Sequence, residues 1–144
     1  NEQSRKLEAI AGIGPITASA YVASVGDAKS FKNARQVPAW LGMVPRQDGT
    51  GGKAKLGRIS KRGDVYLRTM LIHGARSVIA QIERKSDQAD EWLKKLLARR
   101  NKNIAAVALA AKNARIAWAL LAHERSYQCD YVEKRAAANR GCLN

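Results

Sequence analysis

The 144-residue chain is poor in the groups that staple or stiffen small folds, with two cysteines, three prolines and a single phenylalanine. Cys129 and Cys142 make no CxxC pair and have no histidine at ligand spacing, which excludes a disulfide framework or a zinc site and leaves a reducing cytoplasm as the expected location. Acidic residues are scarce, 12 against 26 lysines and arginines, and nowhere do they cluster as a metal-binding carboxylate set does. No apolar run approaches the ~20 residues that cross a bilayer, and basic segments alternate with core-type positions, so membrane binding is not expected. The chain opens Asn1-Glu2-Gln3, without an initiator methionine, an apolar leader or a cleavage site. A fragment of a longer protein is the expectation.

What is abundant is positive charge. A net charge of +14 makes a polyanion the expected partner. The length suits one domain that buries roughly two-thirds of the surface its unfolded form exposes.

The periodicity predicts helices almost throughout. A short amphipathic stretch from Asn1 to Ala11 and an apolar one from Ile16 to Val25 flank Gly12-Ile13-Gly14-Pro15, with Pro15 suited to a first helical position and Gly26 to a stop. A short helix near Asn33 to Leu41 takes Asn33 as its cap and is limited by Pro38. Leu67, Leu71, Ala75, Val78 and Ile82 share one face of a helix from about Asp64 to Arg84, and Trp92, Leu93, Leu96 and Leu97 share one between Asp87 and Arg100. The last helix, about Asn103 to His123, carries a seam of Ile104, Val107, Ala111, Ala114, Trp118 and Leu121 that fits an internal helix or a second copy of the chain. Between Gly42 and Gly63 neither helical nor strand periodicity survives, and a long functional loop is expected there. The expected class is all-α. It comprises a helix-hairpin-helix at about 5–26, a basic loop at about 42–63, a bundle at about 64–123 and a polar tail over 127–144.

Two constellations carry chemistry. The turn Gly12-Ile13-Gly14 has the form of a helix-hairpin-helix, in which glycines let the backbone approach a phosphate and the next helix offers its N–H groups. An ordinary helix corner with a buried Ile13 uses the same residues. The second is the loop itself. A nucleotide-binding P-loop fails there, because Gln47 stands where its first glycine belongs and Ala54 where a hydroxyl must reach magnesium. What remains is the hydroxyl of Thr50 among Arg46, Lys53, Lys55, Arg58, Lys61, Arg62 and Arg68. Attack on a phosphodiester needs such a hydroxyl with cations beside it, and solvated loops that only bind phosphate look similar.

Four ordered blocks, GIGPITA, WLGMVPRQ, TGGK and GRISKRGDVYLRTMLIHGAR, resemble the C-terminal domain of IS110/IS1111-family transposases, relatives of the Piv-type DNA invertases, from about Leu7 to His123. The resemblance implies DNA cleavage and rejoining guided by a structured RNA. It also implies a separate N-terminal RuvC-like domain whose acidic residues hold magnesium, so that no cofactor is expected in this chain. A serine nucleophile is implied at the position of Thr50, where threonine adds a methyl group; Ser60 is the alternative, although it is also placed to serve the turn before Asp64. Without the acidic domain this segment is not expected to be a competent enzyme. A non-enzymatic DNA-binding module and a guide-RNA-binding domain are the rival functions.

Among the remaining candidates, His73, His123, Trp92 and Trp118 fit structural roles, while Trp40 stands near enough to the loop to line a site. The run Lys94, Lys95, Arg99, Arg100 and Lys102 suits a solvated face or a second phosphate track equally.

Overall fold

The computed structural model describes residues 1–43, 45–48, 55–59, 64–84 and 90–123, with the backbone alone described for 45–48 and 55–59. Helix α1 (Glu2–Leu7) leads through a turn to α2 (Pro15–Val25), a 3-10 turn at Ala28–Ser30 and the short α3 (Gln36–Trp40). Strands β1 (Pro45–Asp48) and β2 (Lys55–Ile59) follow, then α4 (Val65–Arg84), α5 (Glu91–Arg99) and α6 (Lys102–Ala122).

The helices begin and stop for local reasons. Asn1 accepts from the N–H of Gln3, Asp90 from Trp92 and Asn101 from Ile104, each occupying a backbone donor that a helix start leaves free. Pro15 opens α2, which ends at Gly26 with φ of 63°. Asn33 accepts from the N–H groups of Arg35 and Gln36 at the start of α3. With Pro38 inside it, α3 runs for only 5 residues.

Helix α6 is the axis of the fold, and α4 packs along it most extensively, with α1, α3, α5 and the 3-10 turn closing around the rest. It buries Ala105, Ala106, Ala110, Ala114 and Ala117, whose small side chains let neighbouring helices come close. The larger core residues come from those neighbours: Leu7, Tyr21, Val37, Leu41, Leu67 and Leu71. Of the expected seam, Ala111, Ala114, Trp118 and Leu121 are buried, Val107 is half-buried and Ile104 is exposed. With 21 residues and a mean hydropathy of 1.5, α6 is long and apolar enough to cross a membrane, which the search for apolar runs missed. It is instead the core helix, half-covered by its own domain.

The all-α expectation holds for the body of the domain, with one correction. The stretch expected as an unstructured loop contains an antiparallel ribbon in which Pro45 pairs with Ile59, Gln47 with Leu56 and Asp48 with Lys55. The register slips between Pro45 and Gln47, so Arg46 stands opposite Gly57 and Arg58 in a bulge. Strand periodicity failed to announce the ribbon because two short strands of mostly polar sequence offer no apolar alternation to read. The expected tail, 127–144, lies outside the described residues.

Candidate nucleic-acid interface

The hairpin between α1 and α2 is set into the domain at close range. Gly12, at φ 100°, lies against α4 so tightly that a Cβ added to Gly74 would fall 1.9 Å from the Gly12 carbonyl oxygen. The buried Asn113 of α6 donates from Nδ2 to the Ala11 carbonyl at 3.0 Å, and Ile13, 4% exposed, faces the core. These glycines therefore serve both readings of the turn. Gly12 is required for packing, whereas Gly14, Pro15 and the 64%-exposed Ile16 lie at the surface, where α2 begins with no side-chain cap. An uncapped helix start presents N–H groups and positive partial charge to solvent.

Two side chains at the start of α4 tie it to the neighbouring elements. Asp64 accepts the Leu67 N–H at 3.0 Å through Oδ1 and the Ser24 hydroxyl at 2.7 Å through Oδ2, joining the start of α4 to the end of α2. The Leu67 N–H bond foremost, then the Ser24 hydroxyl, holds the Asp64 carboxyl below its ordinary range. Arg68 donates from its guanidinium to the Leu41 carbonyl, 3.2 Å away, and closes the end of α3. This corrects one expected phosphate contact: Arg68 is only 8% exposed, and a buried guanidinium engaged by the core is not a surface cation.

Of the other expected site residues, Arg46 lies on β1 and Lys55 and Arg58 on β2, with their side chains outside the described residues. Thr50, Lys53, Ser60, Lys61 and Arg62 lie outside the described residues altogether. In sequence, Thr50 and Lys53 fall between Asp48 and Lys55, the last paired residues of the ribbon.

A family model described as the transposase IS116/IS110/IS902 family matches residues 4–99. The chain belongs to this transposase family. Three curated relatives extend the likeness into α6. It is 59% identical over 124 residues to a probable family 20 transposase of Pseudomonas aeruginosa, covering 86% of this chain and 37% of that protein. It is 49% identical over 129 residues to the transposase for insertion sequence element IS1111A of Coxiella burnetii, covering 90% and 35%. With the transposase for element IS1328 of Yersinia enterocolitica it shares 45% over 118 residues, 82% and 35%. The chain thus spans about a third of the length of the curated relatives it matches.

Within this transposase domain the other singled-out residues divide by what they touch. Trp118 donates from Nε1 to the Ala28 carbonyl at 2.7 Å, and its ring meets His123 edge-on. Lys112 sits over the Trp92 ring and 3.2 Å from Asp90. His73 is exposed on α4, with no ligand-like company: among the described residues no three His, Cys, Asp or Glu come together to hold a metal. In the basic run, Lys94 lies 4.0 Å from Glu91 and Lys102 2.7 Å from Glu83, so part of that charge is matched within the domain. Sequence reasoning missed Arg115, on the half-buried side of α6, where burial first and the nearby Arg35 second hold its guanidinium below the usual arginine range.

Proposed function

We propose that this domain binds the nucleic acid of the transposition complex through the ribbon and the start of α2, and that Thr50 supplies a hydroxyl nucleophile for strand cleavage. The observation that carries the reading is the ribbon: Asp48 and Lys55 are paired across it, and the six residues that join them in sequence are Gly49, Thr50, Gly51, Gly52, Lys53 and Ala54. A functional group carried in sequence between two paired strands can be presented beyond the body of a domain.

In the proposed step the Thr50 Oγ attacks a DNA phosphorus and forms an Oγ–P bond while one P–O bond of the phosphodiester breaks. The threonine proton leaves to solvent or a base, and the departing sugar oxygen takes one up. The phosphoester stored on the protein is then attacked by a sugar hydroxyl of another strand, which restores the threonine. Lys53, Lys55 and Arg58 offset charge on the phosphoryl oxygens in both directions. The described carboxylates form no metal cluster. The family resemblance implies that magnesium is held by a RuvC-like domain of a larger protein, of which the relatives' length is a measure.

The test joins this chain to the N-terminal part of the Pseudomonas relative and supplies magnesium, guide RNA and element DNA. A covalent protein–DNA adduct that survives denaturation, maps to residue 50, persists in Thr50→Ser and disappears in Thr50→Ala is the expected result. An adduct lost only in Ser60→Ala moves the nucleophile to Ser60. Tight, salt-sensitive binding with no adduct in any variant leaves a binding module alone.

A further inference from the structure

Two stretches of the chain that pack on each other carry cations and no acid. From Ala28 to Met43 the sequence holds Lys29, Lys32 and Arg35, and from Lys102 to Ala122 it holds Lys102, Lys112 and Arg115, without one aspartate or glutamate. The first stretch is the 3-10 turn and α3, and both lie against α6, which is the second. Their join is pinned just beyond Arg115, where Trp118 donates from Nε1 to the Ala28 carbonyl at 2.7 Å. The backbone at Arg35 is fixed as well. Asn33 Oδ1 accepts its N–H at 3.0 Å, and Gln36 Oε1 accepts the N–H of Lys32 at 2.7 Å.

The cations of α6 are matched unevenly. Lys112 lies 3.2 Å from Asp90 and Lys102 2.7 Å from Glu83, whereas among the described residues no carboxylate pairs with Arg115 or Arg35. Asp27, the acid just before the first stretch, accepts the Lys29 N–H. Arg115 is nonetheless half-buried, and Arg35 stands close enough that its charge opposes the Arg115 guanidinium, second only to burial itself. A guanidinium does not escape by giving up its proton, so its desolvation and the like charge beside it are relieved by an anion. The two side chains also indicate which anion. Each guanidinium is a planar fork that takes two oxygens, and two forks together call for more negative charge than one carboxylate brings. A nucleic-acid backbone supplies phosphates in succession, and the exposed Lys29 and Lys32 add positive charge to the same stretch of chain.

We propose that Arg35 and Arg115 form a phosphate-binding site for a nucleic-acid backbone, built where α3 packs on α6 from residues distinct from the ribbon and the start of α2. Its occupant rests on the same nucleic-acid reading as the ribbon, whereas the site itself rests on the two arginines. Contact to phosphate positions a strand without reading its sequence, and DNA and RNA share this chemistry.

The test measures binding of this 144-residue chain to a DNA duplex of about a dozen base pairs and to an RNA strand of similar length, by anisotropy across a salt series. The expected result is that Arg35→Gln and Arg115→Gln each lower the slope of log affinity against log salt by about one, with the helical circular dichroism unchanged, while Arg115→Lys keeps the parent's slope. Arg58→Ala, on the ribbon, should add its own loss to theirs, as independent contacts do. Unchanged slopes in both arginine variants beside a lowered slope in Arg58→Ala overturn the site and leave the ribbon reading in place; the converse pattern supports the site and overturns the ribbon. Weakened binding of a poly-glutamate peptide in the arginine variants, with nucleic-acid binding unaffected, replaces phosphate by carboxylate and overturns the assignment. A melting temperature lowered by Arg115→Gln without any ligand, at unchanged salt slope, means that the guanidinium is satisfied within the protein and overturns the site as well. Failure of the parent chain to bind either nucleic acid overturns the occupant together with the nucleic-acid reading of the ribbon.

Discussion

Replacing Gly74 by alanine should destabilise the domain even though helix propensity alone argues the reverse. In the middle of α4 the change from glycine to alanine is worth about 1 kcal/mol in favour of the variant. Against it stands the new Cβ, which would lie 1.9 Å from the Gly12 carbonyl oxygen and 2.9 Å from its carbon. Ordinary contact between such atoms is above about 3.4 Å, so hairpin and helix must part by more than about 1 Å. Both sides are backbone, and no side chain can swing away. Forced repacking of this kind costs about 3 kcal/mol, at the upper end of the usual range for overpacking. The same displacement stretches the 3.0 Å bond from Asn113 to the Ala11 carbonyl, at a cost of about 1 kcal/mol. The net expectation is a loss of about 3 kcal/mol, or a fall of about 5–10 °C in melting temperature for a domain of this size. Urea titration followed by circular dichroism reads it as a lower midpoint at unchanged slope. A Gly74→Ala variant that is more stable by about 1 kcal/mol would show propensity winning, and the close approach of Gly12 to α4 would have to be abandoned.

Five further substitutions have expected outcomes. Arg68→Met should cost about 1.5–3 kcal/mol in urea titrations through loss of its bond to Leu41, yet leave the salt dependence of nucleic-acid binding unchanged. Arg58→Ala should do the opposite, lowering that salt slope by about one with little effect on stability; a reversal of the two would invert the assignment of structural and phosphate-binding cations. Asp64→Ala should remove about 1 kcal/mol as the cap of α4 is lost. Because the folded state holds the Asp64 carboxyl below its ordinary range, its contribution is present above that range and disappears as pH falls through the lowered value, and Asp64→Asn should flatten this part of the pH–stability curve. Tyr21 behaves in the mirror sense: burial raises its hydroxyl far above the ordinary tyrosine value, so stability declines as pH climbs past about 10, where the unfolded chain ionises first, and Tyr21→Phe should abolish that decline.

Much of the fold was legible because its helices are locally specified. The start of α2 at Pro15, its stop at Gly26, the capping role of Asn33 and the span of α4 could be read from single residues and from apolar spacing. What could not be read was which partners those elements choose. Nothing local to Gly12 or Gly74 says that they touch across 62 positions of sequence, and Arg68 was grouped with surface cations because charge is visible in a sequence and burial is not. The ribbon escaped for a different reason: antiparallel pairing is satisfied by backbone groups, and strands of four and five mostly polar residues show no side-chain period. At the site, the blocks that carried the family resemblance contain both the proposed nucleophile, Thr50, and the architectural residues Asp64 and Arg68, and the sequence did not separate the two uses.

That mixture has a structural cause. The segment with the proposed chemistry is short and mostly polar, and it joins the body at two chain positions. The exit follows α3, whose end is closed by Arg68 through Leu41 and which seats Met43 in the core; the entry is α4, whose first turn is fixed by Asp64 through Leu67 and Ser24. Asp64 and Arg68 lie one helical turn apart, so the start of α4 meets both the end of α2 at Ser24 and the end of α3 at Leu41, and α4 is in turn seated on α6 and on the hairpin at Gly74. A perturbation at Gly74, far along α4 from that turn, should therefore reach the ribbon only by shifting the helix as a rigid body, whereas one at Asp64 or Arg68 should loosen the ribbon while leaving the hairpin in place. Hydrogen exchange at the amides of Gln47 and Leu56 distinguishes the two: faster exchange in Arg68→Met with unchanged exchange at Ile13 supports this division, and acceleration at both sites together means that the domain opens as one unit.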